Sequence, residues 1–436
     1  MPTDLPPEST PLKRVIGVTS LGLNAVNLTI AAGIFGLPAI IAGILGAQGI
    51  LAYLVCALLF GLVGLCFAEA GSRVGRAGGL YAYATVPFGP IVGGIAGTLL
   101  WTASGSVADA AIVNLLVDTL AAAIPALGAP WVRVVFILSL FTLVALINIR
   151  GVSHGVRLSV ALTITKIAPL ALLVIVGVFF IDPAKLAWIG TPPLHSVGQA
   201  AVVLFYAFIG VEAALNMSGE VIRPSRTVPR GILLGLTIIA GLYMGLQLVA
   251  QGTLGAALPL SKAPLVDTAN VVFGAWGGRL IVLAVAISAS GCLAADMLSS
   301  PRVLHAFAEQ RQLPHFLARV HPRFGTPAMA IATYAAVCAT FAMTGTFKQL
   351  LIMSSSGTLV LYLICCLGVL KLRAQHVAID NSPFTIPFGP IVPATACLII
   401  VWMLSTLSFK EIWWTLAFIS VVGIAYAAHE YRRGPA

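Results

Sequence analysis

Charged residues are scarce in this sequence of 436 residues. Only 9% of the residues are charged, against about 25% in a typical soluble domain, whereas 59% are hydrophobic and the mean hydropathy is +1.03. So little charge cannot cover a water-soluble domain of this size. Only helices and closed barrels satisfy their backbone groups in lipid, and barrel strands would alternate polar and apolar residues. The long apolar runs therefore predict an all-α integral membrane protein.

Residue patterns that other classes of protein require are absent from this sequence or lie in the wrong part of it. None of the seven lysines completes the phosphate-binding pattern G-x4-G-K-[ST], which argues against an ATP-driven pump. The seven histidines lie in loops or near segment ends, so a metal or haem centre lacks ligands at membrane depth. The seven cysteines lie in apolar runs and are expected to be small core residues rather than disulfide partners. We therefore expect no catalytic residues, no metal, no cofactor and no enzyme activity.

Apolar runs of about 20 residues predict twelve transmembrane helices. A polar, proline-rich start precedes the first run, which is too long for the apolar part of a cleavable signal peptide. The predicted segments are 16–46, 49–70, 91–118, 132–149, 158–181, 197–219, 230–252, 279–300, 327–345, 349–371, 388–408 and 410–428.

The positions of the basic residues predict the orientation. An even number of spans puts both termini on one side, and with that side cytoplasmic, 18 of the 24 Lys and Arg residues lie inside. The net charge of +10 then reflects topology and contact with anionic membrane lipid, and no nucleic-acid partner is expected. We predict a multi-pass protein of the cell (cytoplasmic) membrane with both termini cytoplasmic.

The first and sixth segments are interrupted by glycine. The first contains Gly33 and Gly36 with Pro38 just beyond, and in the sixth Gly210 comes shortly before Glu212. Interruptions at corresponding positions of two halves are typical of inverted-repeat transporters. Alternatively, the glycines only allow close helix packing. The predicted division is a cytoplasmic tail (1–15), a first repeat of helices 1–5 (16–181), an extracellular loop (182–196), a second repeat of helices 6–10 (197–373), and helices 11–12 with the cytoplasmic C-terminus (374–436).

Five stretches resemble motifs of the amino acid–polyamine–organocation (APC) permeases, from helix 1 through helix 10. The resemblance implies a LeuT-like fold of twelve helices with a 5+5 inverted repeat and broken helices 1 and 6. The region of helix 6 is most similar to the basic amino acid/polyamine antiporter branch. The family's Gly-Ser pair in helix 1 is replaced by two alanines, so one hydroxyl is lost. The stretches are AAGIFGLP (31–38), AEAGSRVGRAGGLYAYATVPFG (68–89), NIRGVSHGVRLSVALTITKIAPL (148–170), YAFIGVEAALNMSGEVIRPSRTVPR (206–230) and RVLHAFAEQRQLPHFLARVHPRFGTP (302–327).

The two breaks suit the two charged groups of an α-amino acid. The positive N-terminus of the second half of helix 1 would hold a carboxylate through backbone N–H groups. Carbonyls ending the first half of helix 6 would accept hydrogen bonds from the ammonium, and the resemblance makes its last tyrosine an aromatic lid. Alternatively, water or neighbouring helices satisfy these backbone groups. The predicted contacts are Ala31, Ala32, Gly33 and Ile34 in helix 1, with Tyr206, Ala207 and Ile209 in helix 6.

Ionisable residues far from segment ends are costly in a membrane and are candidates for function. The resemblance puts Lys166 where sodium-coupled relatives hold sodium, and likens Glu212 to a gating glutamate. Asp109 is predicted to act with them in proton coupling or gating. Alternatively, Lys166 extends to the membrane surface and Glu212 makes a structural hydrogen bond.

Asp296 is predicted to meet a cationic substrate side chain, or else to pair with Lys166. The excess of acids over lysines at this depth favours a cationic substrate or a proton path. The remaining predicted pocket residues are Ala103, Ser104 and Ala108 in helix 3 and Ser354 in helix 10.

Together these patterns predict a secondary active transporter of amino acids that works by alternating access, as a proton-coupled symporter or an exchanger. Cationic amino acids are the favoured substrates. A neutral amino acid permease, a polyamine transporter, a channel and a non-transporting sensor on the same fold remain alternatives. The expected partners are the amino acid, protons and membrane lipid, with a homodimer possible through helices 11 and 12.

Overall fold

The described part of the chain is built from helices and contains no β-strand. The computed structural model describes residues 17–74, 79–150, 156–188, 190–210, 222, 224–309, 312–377 and 384–433. The α-helices of the first half are α1 (Val18–Thr29), α2 (Leu37–Leu45), α3 (Ile50–Val74), α4 (Gly79–Phe88), α5 (Pro90–Trp101), α6 (Ala108–Ala123), α7 (Pro130–Ile149) and α8 (Val156–Gly177). Those of the second half are α9 (Leu194–Phe208), α10 (Pro224–Leu254), α11 (Pro264–Phe273), α12 (Ala275–Glu309), α13 (Ala328–Thr344), α14 (Phe347–Ala374), α15 (Ile391–Ser405) and α16 (Phe409–Arg433).

Six helical stretches among the described residues are long and apolar enough to cross a membrane. Helices α15 and α16 pass the same test only as a pair, bent by 119°, and would bring the number to seven. The all-helical membrane fold is thus confirmed, and each apolar run found in the sequence overlaps a described helix. The count of twelve spans and the 5+5 repeat stay predictions.

The first apolar segment is interrupted where the sequence predicted. Helix α1 ends at Thr29, a 3-10 turn covers Ala32–Phe35, and α2 begins at Leu37. Pro38 stands in the first turn of α2, where its missing N–H removes no helical hydrogen bond. Helix α9 likewise ends at Phe208, just before Gly210, which has a φ of 115°. Two helix ends therefore lie inside apolar sequence.

The third segment differs from the single helix expected over 91–118. Between α5 and α6 the backbone forms a π-helix over Thr102–Val107. Helix α14 packs against this π-helix so closely that a Cβ on Gly357 would lie 2.5 Å from Ala103 Cβ. A π-helix inserts an extra residue into a helical turn and so rotates the residues of the next turn, and such insertions are frequent at functional sites.

A buried ion cluster joins α3 to α14. Glu69 on α3 is fully buried and accepts hydrogen bonds from Arg73 Nε at 2.8 Å, from Arg373 Nε at 2.7 Å and from Arg373 Nη2. The backbone N–H of Ile386, ahead of α15, donates to it at 2.9 Å. Arg73 also donates to the carbonyl of Val377, just beyond α14, at 3.2 Å. This cluster fixes one end of α14 against α3.

Glu69→Gln is expected to destabilise the protein by about 3–5 kcal/mol, because the change leaves a buried arginine without its carboxylate. Reversible unfolding in mixed detergent micelles measures the difference. Glu309→Gln is the matched control, because Glu309 is 62% exposed and 3.4 Å from His305; it is expected to change stability by less than about 1 kcal/mol. Equal effects of the two substitutions would contradict a structural role for the cluster.

Candidate functional site

The two interrupted helices meet at one tyrosine hydroxyl. Tyr243 on α10 is fully buried, and its hydroxyl lies 3.1 Å from the carbonyl oxygen of Ala207 and 3.4 Å from that of Thr29. Carbonyls at the C-terminal ends of helices carry the negative end of the helix dipole. The ends of α1 and α9 thus create a region that attracts a positive group, and one hydroxyl proton serves both carbonyls.

The N–H groups of the 3-10 turn lie beside α12. Cys292 on α12 lies next to the backbone N–H of Ala32. Gly33 and Ile34 follow Ala32 in the same turn, and the first donors of a helical turn have no partner within it. A thiol is a weak acceptor. A carboxylate would therefore be a stronger partner for these backbone donors than Cys292 is.

Tyr206 covers the break in the first segment. Its ring lies against Gly33, since a Cβ built on that glycine would be 2.7 Å from Tyr206 Cε1. Its hydroxyl donates to the carbonyl of Ala108 at 2.7 Å, and Phe347 meets the ring edge-on at 6.3 Å between centroids. The last tyrosine of α9 thus connects that helix to the start of α6. Its position suits the lid that the resemblance implied.

Lys166 is buried on α8, with 7% of its surface exposed. A Cβ built on Gly291 would lie 3.8 Å from its Nζ, so the ammonium lies against α12 close to Cys292. The alternative that this side chain extends to the membrane surface does not fit this placement. No described carboxylate lies within 4.0 Å of Lys166, and its role in coupling stays a prediction.

Asp109 and Asp296 face each other from α6 and α12. Asp109 is fully buried at the start of α6, directly after the π-helix, and Asp296 is half-buried one turn beyond Cys292. Their carboxyl groups are close enough for a side-chain hydrogen bond when one of them carries a proton. Tyr334 on α13 donates to Asp109 Oδ2 at 2.9 Å. The structure thus brings Asp296 next to Asp109, and the pairing of Asp296 with Lys166 stays an alternative.

The other residues predicted from the sequence have different surroundings. Ala103 and Ser104 lie in the π-helix, and Ser104 Oγ is 2.8 Å from Thr358 Oγ1 on α14. Ser354 is fully buried, and its hydroxyl has no hydrogen-bond partner among the described residues, so no hydrogen bond joins it to the break. Ile209 is half-buried at the end of α9. Glu212 lies outside the described residues.

Sequence reasoning missed Tyr243, Cys292 and Tyr334 as neighbours of the predicted site. The two tyrosines are fully buried, and a buried tyrosine hydroxyl needs a hydrogen-bond partner. That need was a usable signal for a polar site in segments 230–252 and 327–345. Cys292 gave no signal, because a cysteine in an apolar helix is most often a small core residue.

Taken together, the break offers backbone donors at Ala32, Gly33 and Ile34 and a region of carbonyls around Ala207 and Tyr243. One ammonium and two carboxyls lie on the helices around it. Such a site can hold a small zwitterion with its two charged groups at opposite helix ends. Within the described residues, no group of three or more His, Cys, Asp or Glu could hold a metal ion.

Comparison with known proteins gives a match over nearly the whole chain. A family model described as amino acid permease matches residues 15–426. A serine/threonine exchanger of Bacillus subtilis is 26% identical over 396 residues, covering 89% of this chain and 90% of the relative. A methylthioribose transporter of the same organism is 28% identical over 427 residues, with coverage of 92% and 90%. A branched-chain amino acid permease of Lactococcus lactis is 29% identical over 437 residues, with coverage of 94% and 92%.

Gly33→Ala is expected to lower stability by about 1–3 kcal/mol, because the new methyl overpacks against the ring of Tyr206. Gly43→Ala on α2 is the matched control. A Cβ there would meet only Pro259 Cβ, at 3.8 Å, and replacing a helical glycine by alanine stabilises by about 0.5–1 kcal/mol. Thermal unfolding in detergent measures both changes.

A double-mutant cycle isolates the contact between the glycine and the ring. In a Tyr206→Ala background, Gly33→Ala is expected to lower stability only a little, because the ring that the new methyl group would contact is absent. An undiminished cost in that background would contradict the close packing of Tyr206 on the break.

Proposed function

Because the chain belongs to the amino acid permease family of the APC superfamily, we propose that it carries amino acids across the cell membrane by alternating access. As a member of that family it is an integral membrane transporter and not an enzyme. The proposed coupling is proton symport or exchange of one amino acid for another. Both termini are proposed to be cytoplasmic, from the distribution of basic residues.

The meeting of two helix ends at Tyr243 is the observation that carries this proposal. The substrate ammonium would bind near the carbonyls of Thr29 and Ala207, which lie 3.4 Å and 3.1 Å from the Tyr243 hydroxyl. The substrate carboxylate would take the N–H groups of Ala32 and Gly33 and displace Cys292. Each charge then meets the helix end of opposite sign.

Tyr206 would act as the lid over this site. Its hydrogen bond to Ala108 holds α9 against α6, and its ring covers Gly33. A ligand that enters between α9 and the 3-10 turn must move this ring, and the ring can return once the ligand is bound. Alternating access requires such a reversible closure on each side of the site.

The class of substrate side chain is argued from charge. Two carboxyls, Asp109 and Asp296, and one ammonium, Lys166, lie around the break among the described residues. This excess of acid favours an amino acid with a cationic side chain. A neutral amino acid is the second candidate, and the names of the serine/threonine exchanger and of the branched-chain permease support it.

Ligand-induced stabilisation in detergent tests the proposal, since a ligand that binds the native state at 100 times its Kd raises stability by about 2.7 kcal/mol. The panel is lysine, arginine, ornithine, serine, isoleucine, glutamate, putrescine and methylthioribose. Stabilising amino acids are expected to lose their effect when the α-carboxylate is amidated or the α-amine is acetylated. An amide that binds as well as its parent acid would contradict the carboxylate site.

Uptake of the stabilising ligand into proteoliposomes separates a carrier from a sensor. A carrier is expected to accumulate labelled substrate when a pH gradient, or unlabelled substrate on the opposite side, is supplied. Binding without uptake or exchange under both conditions would favour the non-transporting alternative. Saturation of the initial rate at high substrate concentration distinguishes the carrier from a channel.

Lys166→Ala is expected to abolish coupled uptake while leaving folded protein, because it removes the ammonium that lies against α12 beside the break. Initial uptake with and without a pH gradient measures the effect. Lys348→Ala is the matched control, because that lysine is exposed at the start of α14. Unchanged, pH-dependent uptake in Lys166→Ala would remove this lysine from the coupling mechanism.

A further inference from the structure

The carboxyl of Asp109 lacks the partners that an ionised carboxylate in its position needs. Tyr334 donates to Asp109 Oδ2, but Asp109 Oδ1 accepts no hydrogen bond from any described residue, although it is fully buried. The carboxyl of Asp296 lies beside it, within reach of a side-chain hydrogen bond. An ionised Asp109 would therefore have an oxygen without a donor next to a second acidic group.

The groups that face Asp109 do not balance its charge. Tyr334 and Cys338 face it from α13, Tyr206 from α9 and Cys292 from α12, and all four are neutral when protonated. Lys166 approaches from α8 at Gly291, but its ammonium is more than 4.0 Å from the carboxyl of Asp109. No lysine or arginine therefore contacts Asp109 among the described residues.

Two adjacent carboxyl groups in a poorly solvated site do not both ionise, because the second charge would add repulsion to the cost of burial. A single proton between them removes one of the two charges. Tyr334 already donates to Oδ2, so Oδ1 is the oxygen of Asp109 that still lacks a donor among the described residues. The affinity for this proton is then a property of the two carboxyls together and not of either residue alone.

We propose that Asp109 and Asp296 together bind one proton, and that a cationic side chain of the substrate replaces this proton when it enters the site. This proposal rests on the proposed function and, for a cationic substrate, makes its coupling an exchange of the substrate for a proton instead of symport. One positive charge enters and one leaves, the proton going to water on the side from which the substrate came. A neutral amino acid leaves the proton in place.

The shared proton explains how one pocket could accept both candidate substrate classes. With the proton bound, the pair carries one negative charge, which offsets the ammonium of Lys166, and the surroundings suit a neutral zwitterion. With the proton gone, the three described groups Asp109, Asp296 and Lys166 together carry one net negative charge, which suits lysine or arginine. The choice between the classes then depends on pH.

The dependence of affinity on pH tests the proposal directly. The dissociation constant of lysine is expected to fall by up to about tenfold for each unit of rising pH, because one proton leaves for each lysine bound. The dissociation constant of serine is expected to stay constant. Calorimetry in two buffers of different ionisation enthalpy should report about one proton released per lysine and none per serine.

Asp109→Asn and Asp296→Asn are expected to abolish the pH dependence and the proton release, since either change leaves a single carboxyl. In Asp109→Asn the new side-chain amide would still offer an oxygen to Tyr334, and Asp296 is only half-buried, so at least one of the two variants is expected to fold. Asp182→Asn is the matched control, because that residue is exposed and only caps the turn at Ala184. It is expected to behave as the unmodified protein does.

An infrared band of a protonated carboxyl provides a readout that needs no substrate. The band is expected in the unmodified protein near neutral pH and is expected to vanish in both asparagine variants. This band separates the two proposals. If the band is present but no amino acid binds, the proposed transport function is contradicted, whereas the proton shared by the two carboxyls is still supported. Absence of the band, or lysine binding that does not change with pH, would contradict the proposal that the two carboxyls share a proton.

Sodium is the competing occupant of two carboxyls and a hydroxyl. At constant pH, replacing choline chloride by sodium chloride is expected to leave the stability and the affinity for lysine unchanged. Stabilisation by sodium that disappears in Asp109→Asn and Asp296→Asn would assign the pair to a metal cation and overturn the proton proposal.

Discussion

A helix that ends inside a membrane leaves carbonyl groups that no water reaches, and the arrangement of this protein depends on how those groups are satisfied. The carbonyls at the ends of α1 and α9 converge on the single hydroxyl of Tyr243. On the other side of the break, the group next to the N–H of Ala32 is the thiol of Cys292. Both solutions are weak, since one proton serves two carbonyls and sulfur is a poor acceptor. A zwitterion can replace each of them with a stronger partner.

Buried carboxyls are treated in two contrasting ways in this molecule. Glu69 receives hydrogen bonds from Arg73, Arg373 and the backbone of Ile386, so its charge is fully paired. Asp109 has no such cation in contact with it among the described residues. A charge that is already paired resists change, whereas the carboxyl of Asp109 can respond to whatever cation arrives. A buried carboxyl thus stabilises the fold at one end of α3, whereas a buried carboxyl beside the break is able to respond to a cation that binds there.

The positions of the helices could be predicted from the sequence because membrane thickness and backbone satisfaction leave little freedom. The first interruption could be predicted as well, since Gly33, Gly36 and Pro38 weaken a helix at that point. The π-helix at Thr102–Val107 could not be predicted, because its hydrogen bonds shift by one residue without a compositional mark.

Side-chain partners were the hardest feature to predict, since they depend on how each helix is rotated about its axis. Asp296 could be recognised in the sequence as an acidic residue far from its helix ends, but its position next to Asp109 could not be predicted. Tyr243 and Tyr334 were passed over because a tyrosine in a long apolar run does not show what its hydroxyl contacts. The partners of such a hydroxyl lie far away in the sequence, and local patterns do not reveal them.

The Glu69 cluster also imposes an order on biosynthesis. Glu69 and Arg373 are 304 positions apart, so α3 is made long before its partner on α14 leaves the ribosome. Arg73, one turn further along the same helix, can neutralise the glutamate from the start. The ion pair is thus completed in two stages, first within one helix and then across the finished bundle. The second stage requires that α14 has inserted in the correct direction, so the complete cluster forms only in a correctly assembled bundle.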